Sequence, residues 1–210
     1  MASVASTFWG SGAKTILITG GGSGIGLAFA KRFSNRGHQV IMCGRREGQL
    51  QLAQQENPAL HYIVGDVETE EGRLSLASRV VEQFPDISVL VNNAGIQNRL
   101  PPLSDQSIGG FWQQHKTEIA INLEAPIHLS ILLLPHLLSR PSAQIINVTS
   151  GLAVSLLLLV VLCGIINLSV FIILYSLYRW HLCQRTAPPR LPCTHSQCPF
   201  DISSKLLRLV

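Results

Sequence analysis

A chain of 210 residues is long enough for one α/β domain with a full core, and 47% hydrophobic against 13% charged residues is an unusually apolar balance for one. The formal charge of +4 is confined to the end of the chain: residues 1–153 hold eleven basic and eleven acidic groups, Val154 to Tyr178 hold none, and five basic groups face the single Asp201 thereafter. The basic balance is therefore a property of the tail and no argument for nucleic acid, which is not expected as a partner.

In chain order, Met1 to Ala13 is rich in Ser, Ala and Gly, with neither a basic start nor a long apolar run, and does not read as a signal peptide. Thr15 to Thr19 is a β-branched run ending in glycines, as a buried parallel strand does. Ile25 to Phe33 shows helical spacing of apolar residues, followed by a strand at Gln39 to Cys43 and a polar-faced helix at Glu47 to Gln55. A third strand is predicted at His61 to Val67, a helix at Gly72 to Phe84, and a fourth strand at Ser88 to Asn92. Phe111 to Leu138 reads as one long helix, kinked by Pro126 and closed by Pro135, before a fifth strand at Gln144 to Val148. Strands alternating with helices at this spacing predict βαβ units and a parallel, doubly wound α/β sheet.

Cys43 is alone in the first 153 residues, as expected of a reduced, cytoplasmic domain without disulfides. Cys163, Cys183, Cys193 and Cys198 all follow it, and with His181 and His195 they raise the question of zinc. Neither a second cysteine pair nor a spaced histidine pair completes a site, so no metal is expected.

The first turn reads Thr19-Gly-Gly-Gly-Ser-Gly-Ile-Gly26. Gly20 permits a tight exit from the strand, Gly24 lets backbone approach a pyrophosphate, and Gly26 lets the following helix pack closely. That helix start supplies N–H donors and a positive dipole end. With these residues in view, T-G-x-x-x-G-I-G resembles the cofactor loop of the short-chain dehydrogenase/reductase family. Asp66, in G-D-V, matches the acid that contacts the adenine ring, and Asn92-Asn-Ala-Gly95 matches the family's N-N-A-G beneath the cofactor. Ser150 holds the position of the catalytic serine, and Asn122 that of the asparagine of the catalytic tetrad.

The resemblance implies a Rossmann-like sheet and a nicotinamide dinucleotide held by Gly20, Ser23, Gly24, Ile25, Gly26, Asp66, Asn93, Ala94 and Gly95. It also implies a small-molecule carbonyl or alcohol substrate and a homo-oligomeric intact form. Cofactor choice is written at the end of the second strand, where an acid favours NAD and arginine favours NADP. Arg45 and Arg46 stand there with no acid before Glu47, so NADP(H) is favoured over NAD(H); the alternative is an exposed arginine pair at a helix start.

The resemblance breaks after Ala153. The family places a tyrosine thirteen residues after the serine and a lysine four further on. The tyrosine is the general acid/base for the substrate oxygen, and the lysine lowers its pKa. Here those places hold Cys163 and Asn167, and neither Tyr175 nor Tyr178 is followed by a lysine four residues on. The recognisable sheet is thus truncated after its fifth strand, giving a dinucleotide-binding domain at 1–153, an apolar segment at 154–178 and a basic, irregular tail at 179–210.

The apolar segment admits two readings. As a helix its 25 uncharged residues reach about 37 Å at ~1.5 Å per residue, enough to cross a bilayer core of ~30 Å. That single-pass reading places the Arg179 side in the cytosol and the dinucleotide domain on the other side, away from its cofactor. The second reading is an unspliced intron translated as protein. Codons with T in the middle encode Phe, Leu, Ile, Met and Val, and sixteen of the 22 residues from Val154 to Tyr175 are of this kind. Val154-Ser155 can be encoded GTA-AGT, a splice donor, and Tyr175-Ser176 as TAC-AGN, which contains an acceptor.

The interval between those sites is 22 codons plus two bases, so the tail would be read out of frame. Codons permitted for Thr186 to Ser203, read one base earlier, spell Y-C-A-T-K-A-A-L-H-S-F-T-M-S-L-R-Y-Q, which contains the missing Tyr-x-x-x-Lys. Joining Ala153 to that frame, opened at Ser176, allows Phe-Val-Pro to follow directly and places the tyrosine thirteen residues after Ser150.

Overall fold

Residues 12–98 and 108–149 are described by the structure, a computed structural model, and form five parallel strands with helices between them. The elements run β1 (Thr15–Thr19), α1 (Gly24–Ser34), β2 (Gln39–Gly44), α2 (Glu47–Glu56), β3 (Leu60–Val64), α3 (Glu70–Gln83) and β4 (Ile87–Asn92). There follow α4 (Ile108–Ile119), a π-helical turn (Ala120–Glu124), α5 (Ala125–Leu138) and β5 (Gln144–Asn147). The strand order is β3-β2-β1-β4-β5. This is the doubly wound, Rossmann-like α/β sheet that the alternation of elements predicts.

Period-two alternation divides the strand side chains between two cores. Ile16, Ile18, Val40, Met42, Val89 and Val91 face α1 and α2, against Ala30, Phe33, Leu50 and Ala53. Leu17, Ile41, Cys43 and Leu90 face α3 and α5, against Leu76, Val80, Leu129 and Leu133. Ile16, Leu17 and Ile18 are fully buried, each worth about 2 kcal/mol of apolar burial, which explains why β1 reads as an unbroken apolar run.

Three element boundaries differ from the sequence expectation by two residues or more. β3 stops at Val64, three residues short of Val67, because Gly65 N–H makes a last bond to Gly44 and Asp66 Oδ1 then accepts from Glu68 N–H (2.9 Å), turning the chain. α3 starts at Glu70, two residues early, with Thr69 Oγ1 accepting from Gly72 N–H (3.1 Å), and Phe84 is its C-cap. The long helix begins at Ile108 and is not closed by Pro135, which lies inside α5. Three residues more continue to Leu138, where Ser139 and Arg140 N–H bond back to His136 and Leu137.

The irregularity expected at Pro126 falls just before it. Pro126 has no N–H to donate, and the chain takes one extra residue per turn over Ala120–Glu124, with Ala125 N–H reaching Ala120 O. His115 to Leu138 is long and apolar enough to cross a membrane by length and composition. Its face of Ile121, Ala125, Leu129, Leu133 and Leu137 is nevertheless buried in the core beneath the sheet. Ser150, Cys163, Asn167, the apolar segment 154–178 and the tail lie outside the described residues.

Candidate functional site

Chain direction away from the sheet reverses between β1 and β4, which are neighbours, and a crevice opens at the carboxyl ends of these strands. Its volume is about 520 Å³, within the range of small-molecule sites. Four successive loops line it. The turn after β1 contributes Gly20, Ser23, Ile25 and Gly26; the end of β2 and the residues after it contribute Cys43, Gly44, Arg45 and Arg46. Asp66 and Val67 follow β3, and Asn93, Ala94 and Gly95 follow β4. All the cofactor residues expected from the sequence therefore share one cleft except Gly24, which sits in the same turn between Ser23 and Ile25.

The glycines are required by the geometry of that turn. Gly20 has φ +67° and Gly24 has φ +54°, conformations that favour residues without a Cβ. Nothing lies within 4 Å of a Cβ built at Gly24, so its backbone is open to an approaching ligand. A Cβ at Gly26 would run into the carbonyl oxygen of Gly20 and the Asn93 amide. Close packing at Gly26 is thus against the strand exit and the end of β4, a more specific contact than helix on sheet. Ser23 is the N-cap of α1 with extended backbone, yet its side chain makes no cap bond, and the first turn carries no acid. The helix end consequently offers unblocked N–H groups and an uncompensated positive dipole to the cleft, a fit for a pyrophosphate.

Two clasps hold the floor. Thr19 Oγ1 accepts from Asn93 N–H and Ala94 N–H, each at 3.0 Å, while Asn93 Nδ2 donates to Thr19 O (3.0 Å). The ends of β1 and β4 are thereby fixed to each other. Asn122, in the π turn, donates to Ile96 O (2.7 Å) and accepts from Ile96 N–H (2.9 Å), in both directions of one peptide pair. It stands behind the cleft wall just beyond Gly95, and the extra residue in its turn belongs to the same irregularity that accommodates Pro126. Asn92 Nδ2 reaches Asn147 Oδ1 (2.9 Å), joining β4 to β5 at the strand ends that lead toward Ser150.

The two arginines diverge. Arg46 Nη2 donates to Ser23 Oγ (3.3 Å), across the cleft mouth on the glycine-turn side. Arg45 Nη1 turns the other way, 3.2 Å from Glu68 Oε2 and 4.0 Å from Asp66 Oδ2. Cys43 is buried below them; burial pushes its thiol up to about 12, so it stays protonated and donates to Gly65 O (3.7 Å).

Thr19, Glu68 and Arg73 were not among the residues singled out from sequence. Arg73 is buried in α3, donating to the carbonyls of Val67 (2.9 Å) and Glu68 (2.8 Å) and through Nε to His128 Nδ1 (3.1 Å). It ties down the loop that carries Asp66. No sequence signal distinguishes Arg73 from a surface arginine, whereas Thr19 stood in the quoted loop and was legible there. Arg73→Met should cost about 2 kcal/mol, because it strands buried carbonyls. The check is a urea midpoint that falls with unchanged slope; an unmoved midpoint would count against the clamp.

The family model for short chain dehydrogenase matches residues 14–159. An uncharacterized oxidoreductase, DltE, of Bacillus subtilis (strain 168) is 43% identical over 143 residues, 67% of this chain and 54% of its own length. L-fucose dehydrogenase of Bos taurus is 31% identical over 137 residues, 65% of this chain and 49% of its own length. The chain therefore spans about half the length of these curated relatives. Among solved structures, a 3-oxoacyl (acyl-carrier-protein) reductase of Agrobacterium tumefaciens C58 with NADP bound has TM-score 0.71 at 22% identity, over 85% of this chain and 68% of its own. A short-chain dehydrogenase from Sphingobium yanoikuyae in complex with NADPH has TM-score 0.68 at 22% identity, over 81% and 66% respectively. These two share the fold with it. With the family match running over more than half of its length, and the glycine turn and N-N-A-G on the elements where they belong, this chain is a member of the short-chain dehydrogenase family.

Proposed function

We propose that the intact protein is a cytoplasmic, homo-oligomeric NADP(H)-dependent oxidoreductase acting on a small-molecule carbonyl/alcohol pair. One observation carries this reading: the glycine turn and the uncapped start of α1 open at the switch point between β1 and β4, facing an arginine-bearing rim. When bound, the nicotinamide supplies hydride transfer to or from the substrate carbon. Gly20, Gly24 and Gly26 would let the turn approach the pyrophosphate, and Ser23 with Arg46 would hold an added ribose phosphate. Asp66 would contact the adenine ring, and Asn93, Ala94 and Gly95 would lie beneath the cofactor. Asn122 holds the wall through Ile96, and Ser150 would take the role of the family's serine, which hydrogen-bonds the reacting oxygen.

The proton-handling tyrosine and its lysine are supplied in this reading by the spliced product, in which Val154 to Tyr175 are removed. It is supported by the residues at both ends of the segment, which can be encoded with splice donor and acceptor bases, and by the Tyr-x-x-x-Lys that the tail permits in another frame. The run of 25 uncharged residues favours a second reading, a membrane-anchored, non-catalytic nucleotide-binding protein. Fractionation of the native protein separates the two: the spliced enzyme is recovered in the soluble fraction, the anchored protein with membranes.

Cofactor preference is tested on the spliced protein by comparing dissociation constants for NADPH and NADH. NADPH should bind about ten-fold more tightly, the scale of one charge-assisted phosphate contact, and Arg45→Asp should narrow the gap. Equal or tighter NADH binding would sink the preference.

A further inference from the structure

Arg45 is the cation nearest the end of β2, yet its Nη1 is already committed to a carboxylate. Glu68 holds it at 3.2 Å, and the geometry around Glu68 shows which partner is the fixed one. Glu68 N–H donates to Asp66 Oδ1 (2.9 Å) and Glu68 O accepts from the buried Arg73 (2.8 Å), so its backbone is pinned on both sides. Its other carboxylate oxygen accepts from Thr117 Oγ1 in α4 (3.3 Å). Arg45 has no comparable anchor, and its side chain is 54% exposed against 32% for Glu68. The arginine is the mobile member of the pair and the glutamate the built-in one.

We propose that Glu68 is a selectivity-determining residue that restrains binding of a 2′-phosphorylated adenosine cofactor by holding Arg45 on the β3 side of the cleft. The inference rests on the NADP(H) reading above for its biological meaning. A phosphate on the ribose at the end of β2 meets two effects of the same sign. Arg45 must leave Glu68 to reach the phosphate, and the remaining Glu68 and Asp66 carboxylates repel a dianion placed beside them. Unphosphorylated ribose meets neither. The Glu68 carboxylate therefore lowers affinity for the phosphorylated form selectively, and Thr117 enforces this by fixing its direction. Selectivity in this chain is thus a balance, with Arg46 and Ser23 favouring the phosphate on one side of the rim and Glu68 opposing it on the other.

The test is calorimetric titration of the full-length protein, in the reading its native transcript encodes, with adenosine 2′,5′-bisphosphate and adenosine 5′-monophosphate. These probes occupy only the adenosine side of the cleft. Glu68→Gln should tighten bisphosphate binding about five-fold and leave monophosphate binding within about two-fold, the scale of one partly exposed charge pair. Thr117→Val should shift the ratio in the same direction by less. In an Arg45→Gln background the gain from Glu68→Gln should shrink to about two-fold, since only direct repulsion remains to be relieved. A bisphosphate-to-monophosphate ratio that is unchanged or lowered by Glu68→Gln overturns the proposal, a lowered ratio meaning that Glu68 presents Arg45 to the phosphate instead. A wild-type protein with no preference for the bisphosphate overturns the NADP(H) reading alone, because the effect of Glu68 is read from the change in ratio. Thermal midpoints of the variants close to wild type confirm that the comparison is between folded proteins.

Discussion

The chain as written should show no dehydrogenase turnover with NADPH and carbonyl substrates, whereas the product joining Ala153 to the Phe-Val-Pro frame should be active. The physical ground is the missing proton carrier. Hydride transfer to a carbonyl leaves an alkoxide that must be protonated, and the family's tyrosine–lysine positions hold Cys163 and Asn167 here, neither of which reproduces that pair. General acid–base catalysis is worth about 10²- to 10⁴-fold on its own, so the two forms should differ by at least that much. Sequencing cDNA from the native source tests the same point without an assay. A transcript is expected in which the Ala153 codon runs directly into Phe-Val-Pro, followed further on by Tyr-Cys-Ala-Thr-Lys. A single transcript that keeps the segment, with Ser155 and Ser176 encoded by TCN codons so that the donor AGT and the acceptor AG are both missing, would end the intron account and leave the membrane-anchored reading.

Gly26→Ala should be the most damaging single substitution in the glycine turn. Its Cβ would press on the Gly20 carbonyl, and the atoms of that carbonyl are backbone that cannot swing aside. Gly20 is itself held by a positive φ of +67° and by the Asn93 clasp on the preceding residue. Overpacking of this kind costs about 3 kcal/mol, which in a protein of this size lowers the melting temperature by roughly 6–12 °C. NADPH affinity should fall more than ten-fold with it, because the α1 start is displaced from the cleft. Gly24→Ala provides the contrast. It has open space but φ +54°, so its cost is about 1 kcal/mol of backbone strain with a smaller loss of affinity. Gly26→Ala melting within two degrees of wild type, at about the resolution of a ~1 kcal/mol change, would refute the close-packing argument.

Much of this molecule was legible from sequence for a simple reason. β1, β2 and β4 are buried on both faces, so they read as apolar runs, and β1 lies at Thr15–Thr19 as expected. The glycine turn was legible because backbone conformation and close approach restrict residue type at single positions, independent of the rest of the fold. β3 was overrun by three residues because Val67 resumes the apolar run in the sequence, whereas a local Asp66–Glu68 bond turns the chain before it. The helix ends at Leu138 as expected, although Pro135 does not close it: a proline near the end of a helix sacrifices one bond, and core contacts through Leu133 and Leu137 keep the last turn in place.

What the sequence by itself determined is the order of elements, the two-sided burial of the strands and the set of residue types that a dinucleotide turn demands. These follow from period, propensity and the conformational limits of glycine and proline, all of which act over a few residues. Tertiary structure alone decided the pairings between distant positions. Thr19 meets Asn93 and Ala94, Asn122 meets Ile96, Arg73 meets the Val67–Glu68 backbone, and Arg45 turns to Glu68 while its neighbour Arg46 turns to Ser23. A side chain's charge is visible in the sequence, but the direction it takes depends on which fixed partner the fold brings within about 3 Å, the reach of a hydrogen bond.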